Sequence, residues 1–168
     1  RFMNDKKFVP VISMVRGINI LYLPEYHYSR TWPKKGTKIM VDREILANSI
    51  YQPGVERMFT EGNLWIDDQE FRIELGLETA PVEGDEVEAK TLVKLDDKLL
   101  NRIIKLMPVS EVKSTIETLS PAQRLEVADY AVEHYQDLKM DRIEVLTKLC
   151  DTDILKAVEM KKGFEQEA

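Results

Sequence analysis

Apolar and polar positions alternate with a period of two through much of the first third of the chain. They recur every three to four residues through the second half, so the pattern predicts strands first and helices afterwards. Phe8 to Val15 carries Val9, Val11, Ile12 and Val15 and reads as a strand; Ile18 to Leu23 reads as another. Gly17 is placed for a turn or bulge between them, and Pro24 ends the second run. Within that run Ile18, Ile20 and Tyr22 share one face. Residues 25–36 read as a loop, and Thr37 to Val41 as a third strand. Asp42 is a suitable cap for a helix from Arg43 to about Tyr51 with Ile45, Leu46 and Ile50 on one stripe, broken by Pro53-Gly54. A helical turn with Val55, Met58 and Phe59 follows and ends at Gly62. Asn63 to Ile66 is a last short strand, and Asp67 or Asp68 caps a turn bearing Phe71, Ile73 and Leu75.

The second half reads as helix throughout. Asp96 or Asp97 caps a segment with Leu99, Leu100, Ile103, Ile104 and Met107, which Pro108 ends. Ser110 is the expected cap of a helix with Val112, Ile116 and Leu119. Ser120-Pro121-Ala122-Gln123 combines a capping serine, a first-turn proline and a glutamine at the third helical position, the capping-box arrangement. The helix it opens is expected to bury Leu125, Ala128, Ala131, Val132 and Tyr135. Another starts at Asp141 with Ile143, Leu146 and Leu149; Asp151 or Thr152 caps the last, which ends near Gly163. Each helix is short and one-sided, so each needs the others to cover its apolar face.

Between the halves, Thr79 to Glu88 holds Pro81, Gly84 and four carboxylates with little to bury. The expected organisation is α+β: a small strand-rich domain with short helices over 1–78 and an acidic linker over 79–91. A bundle of about five helices over 92–163 and a frayed tail over 164–168 complete it.

Composition narrows the function. Hydrophobic residues at 43% supply a packed core, while charged residues at 32% and a net charge of −6 disfavour a general affinity for polyanions. Residues 1–80 hold 11 Lys/Arg and 11 Asp/Glu, and residues 81–168 hold 13 and 19, so the whole excess sits in the second half. A nucleic-acid backbone is therefore a poor match for that half, and the first half stays open to it. No apolar run is long enough for a membrane helix, and the polar start from Arg1 to Lys7 predicts no signal peptide. Cys150 is the sole cysteine, so no intrachain disulfide is possible, and a cytoplasmic location is expected.

Candidate chemistry is sparse. His27 and His134 lie in different halves without ligands at metal-binding spacing, so no metal and no cofactor is expected. Cys150 ends an apolar stripe and reads as a core thiol. The pairs Asp67-Asp68, Asp96-Asp97 and Asp151/Asp153 fall at expected helix starts, where carboxylates offset the positive end of the dipole. Residues 141–162 have helix-turn-helix proportions, but the second helix opens on Asp153 and carries its lysines late. The segment from Tyr26 to Lys38 stands apart. Tyr26, Tyr28, Arg30, Trp32, Lys34 and Lys35 combine residues enriched at protein contacts with the aromatics and cations that hold single-stranded nucleic acid. A purely structural role, with Trp32 and Tyr28 covering one end of a small sheet, is the third possibility.

The run Met14-Val-Arg-Gly-Ile-Asn-Ile, then Pro24-Glu25, Arg30-Thr-Trp, Gly36-Thr-Lys-Ile-Met-Val, Tyr51-Gln-Pro-Gly54 and Asn63-Leu-Trp-Ile-Asp67 resembles small proteins of tailed bacteriophages. The resemblance covers about residues 14–67 and implies a phage-encoded, non-enzymatic and virion-associated protein; it transfers no functional residues. The expected function is a structural or assembly protein acting through protein contacts or self-assembly. The alternative is a nucleic-acid-associated regulator using residues 26–38. No membrane partner is expected.

Overall fold

In the computed structural model, which describes residues 6–80 and 92–167, the chain is α+β, with the strands in a first unit (residues 1–94) and only helices in a second (95–168). The division falls between Lys94 and Leu95, just past the residue 92 at which the helical bundle was expected to begin. Leu92 packs against the first unit's core, and the linker segment 81–91 lies outside the described residues.

Strand β1 (Phe8–Ser13) is the middle of a three-stranded antiparallel sheet, between β4 (Lys38–Asp42) and β5 (Leu64–Ile66). Its alternation puts Val9 and Val11 into the core, where they pair with Val41 and Ile39. Pro10 has no N–H to give, and it sits where β5 stops: its carbonyl accepts from the Asp67 amide (2.9 Å). A separate hairpin pairs β2 (Asn19–Leu23) with β3 (Tyr28–Trp32), joined by a 3₁₀ turn over Pro24–Tyr26. The middle of the segment expected to be a loop, Tyr28–Trp32, is thus strand. Its large residues Tyr28, Arg30 and Trp32 alternate with small polar Ser29 and Thr31, the two-faced pattern of a half-buried strand.

Three helices cover this core. α1 (Arg43–Ser49) starts at Asp42, whose carboxylate accepts from the Ile45 amide at 3.0 Å. α2 (Pro53–Thr60) uses Pro53 at its first position, so the proline that breaks α1 begins the next helix. α3 (Gln69–Glu74) is capped by Asp68, not Asp67, and buries Phe71.

The second unit has α4 (Asp97–Asn101), α5 (Val109–Glu117), α6 (Pro121–Glu133), α7 (Met140–Leu149) and α8 (Ile154–Glu167) among its described residues. Asp96 caps α4. A π turn over Arg102–Leu106 continues α4, closed by Met107 N–H to the Arg102 carbonyl at 2.7 Å. Ser120 and Gln123 form the reciprocal capping box at 3.2 and 3.1 Å.

Four expectations fail here for identifiable reasons. α5 starts one residue after Pro108, whose extended backbone sets the helix direction, so Ser110 lies inside the helix and caps nothing. α6 buries Gln123, Val127, Ala128 and Ala131, leaving Leu125 55% exposed; two residues from both Gln123 and Val127, it points to the opposite side. The cap of α8 is Asp153, which accepts from the Lys156 amide at 3.1 Å. Asp151 instead takes the left-handed conformation (φ 50°) that closes α7, with Thr152 N–H reaching the Thr147 carbonyl. Finally, α8 runs through Gly163 to Glu167 where an end and a fraying tail were expected. A helical glycine costs about 1 kcal/mol relative to alanine, which lowers stability without ending a helix. A Cβ at Gly163 would meet nothing within 4 Å. Gly163→Ala should therefore raise helicity and stabilise the second unit by about 0.5–1 kcal/mol, read by circular dichroism during urea unfolding; no change would mean that the last turn is not helical in solution.

Candidate contact surface on the β2–β3 hairpin

Hairpin register decides what each predicted contact residue can do. Leu23 lies across from Tyr28, Leu21 from Arg30 and Asn19 from Trp32. Tyr28, Arg30 and Trp32 therefore share the face that Leu21 and Leu23 bury. Trp32 is 0% exposed and its indole N–H donates to the Val11 carbonyl at 2.9 Å. It is a core residue, and its ring has no free face on which a base or a partner side chain could stack.

Tyr28 and Arg30 work at the open edge of β4. The Tyr28 hydroxyl accepts from the Asp42 amide at 2.7 Å, and Arg30 Nε donates to the Met40 carbonyl at 3.3 Å. Arg30 also lies over the Tyr28 ring, 4.4 Å from its centroid. Side chains of β3 thus occupy backbone groups that an edge strand would otherwise offer to another chain. The outer edge of β5 is treated alike: Arg72 Nη1 donates to the Ile66 carbonyl at 2.6 Å.

Of the remaining predicted residues, Tyr26 is 36% exposed in the hairpin turn, Lys34 is exposed and Lys35 is half-buried. Lys38 pairs with Asp67 at 3.2 Å. The aromatic-basic cluster is therefore divided between core, strand edge and turn. Its aromatics and cations do not form one surface.

The other face of the hairpin is the unexpected one. Ile18, Ile20 and Tyr22 are 68%, 55% and 67% exposed, opposite Thr31 and Ser29 on β3. Asn19, Leu21 and Leu23 on the inner face are at most 9% exposed, and the Asn19 amide donates to Ser13 Oγ at 2.8 Å. The strand is apolar on both faces, so its own sequence does not say which one is buried. The partner strand does, because Ser29 and Thr31 are too small and polar to be the core side. At the turn, the Gln52 amide donates to Glu25 Oε1, and this hydrogen bond holds the Glu25 carboxyl below the usual carboxylate range.

The other candidate groups have structural occupations. His27 takes the left-handed backbone position ending the turn, and His134 stacks on Tyr130 with centroids 4.3 Å apart. Asp68 and Asp96 cap helices. Among the described residues, no three His, Cys, Asp or Glu side chains gather where they would hold a metal ion. No helix of the described residues is long and apolar enough to cross a membrane. Cys150 is 5% exposed, and burial pushes its thiol up from an ordinary 9.0 to about 11.

That shift has a sign. Between pH 9 and 11 the unfolded chain releases a proton that the folded chain keeps, so stability falls as pH rises through that window. Wild type should lose about 2 kcal/mol more than Cys150→Ala over this interval, measured as the difference between their urea-unfolding curves; parallel curves would mean that the thiol is solvated.

Comparison with family models, curated proteins and solved structures found no match in any of the three.

Proposed function

We propose that the chain is a non-enzymatic binding and assembly protein that acts through protein–protein contacts, of the virion-associated kind its sequence resembles among tailed bacteriophages. The observation that carries the reading is the apolar stripe Ile18, Ile20 and Tyr22 on the outer face of the β2–β3 hairpin. Its inner face is pinned by Leu21, Leu23 and Trp32, so the stripe is presented on a rigid platform and loses little freedom on binding. Scattered exposed apolar residues are ordinary on a protein surface; Ile20 and Tyr22 in consecutive outward positions of β2, with Ile18 just before the strand, are the beginning of a contact patch.

Among the residues first singled out, Tyr26 at the hairpin turn and Lys34 just past β3 remain exposed enough to join such a contact. The patch is apolar and uncharged along Gly17 to Leu23, which suits a protein and offers a phosphate backbone nothing.

The double substitution Ile20→Lys/Tyr22→Lys changes only exposed positions and should leave the fold intact. It should abolish co-purification of partners from native cells and any mass above monomer in light scattering. Unchanged association would defeat the reading. So would binding of a single-stranded oligonucleotide that weakens steeply with salt and falls on Lys34→Glu, which would favour a nucleic-acid regulator instead.

A further inference from the structure

We draw no further inference here: the strongest candidate, the outward apolar stripe of α8 along a surface cavity lined by Ala157, Met160 and Phe164, is an unpartnered helix face, and nothing in the structure shows what covers it.

Discussion

Trp32→Ala destabilises the first unit by about 3–5 kcal/mol, the range for removing a fully buried large aromatic. Trp32 is 0% exposed, touches the core shared by both sheets and donates its indole N–H to Val11. The substitution removes apolar contacts and a hydrogen bond together and leaves a cavity between the hairpin and β1. With a typical domain stability of about 5–15 kcal/mol, a loss of this size leaves a substantial unfolded population near body temperature. Both tryptophans, Trp32 and Trp65, belong to the first unit. Trp65 fluorescence therefore reports that unit alone in the variant, and urea unfolding followed through it gives the loss directly. A cost below about 1 kcal/mol would mean that Trp32 is a surface contact residue after all.

Arg72→Met is expected to cost a similar amount, about 3–5 kcal/mol, for a different reason. Arg72 is 8% exposed; it pairs with Glu78 at 3.2 Å, donates to the Ile66 carbonyl and lies over the Trp65 ring at 4.2 Å. The Glu78 side chain is itself only 12% exposed, so methionine would keep much of the volume while leaving a carboxylate without its cation. Lysine has neither the fork to reach both acceptors nor a plane to stack, so Arg72→Lys should recover less than half of the loss. Urea midpoints for the two variants check this. A full recovery with lysine would reduce the contribution of Arg72 to its charge.

What could be read from the sequence follows the range of the interactions involved. Asp42 and the Ser120–Gln123 box act within one helical turn, so residue type and spacing sufficed to anticipate them, while Asp68 and Asp96 were each anticipated as one of two adjacent candidates. Ser110 and either Asp151 or Thr152 were the expected caps, whereas α5 opens directly after Pro108 and α8 is capped by Asp153; residue type alone does not reveal that shift. The Tyr28–Trp32 stretch was misread as part of a loop because its strand character depends on pairing with Asn19–Leu23, a non-local event. Composition then drew notice to Trp32, Tyr28 and Arg30, which the fold uses in the core and at the β4 edge. The stripe at Ile18, Ile20 and Tyr22 was visible as a shared face. Its outward direction depends on which side of β3 carries Ser29 and Thr31.

The two sheets are not continuous through a backbone ladder; side chains of β3 bridge them, through Trp32 to Val11, Tyr28 to Asp42 and Arg30 to Met40. Such a junction can come apart without disturbing the hydrogen bonds inside either sheet. Leu21, Leu23 and Trp32 hold the hairpin to the core in the folded state, so it opens only rarely, as a sub-global unit that leaves β4-β1-β5 closed. Amide hydrogen exchange would register this as a distinct tier. The Asp42 amide, guarded by a single phenolic oxygen, would exchange with the hairpin, and the β1 amides bonded to β4 only when the whole unit unfolds.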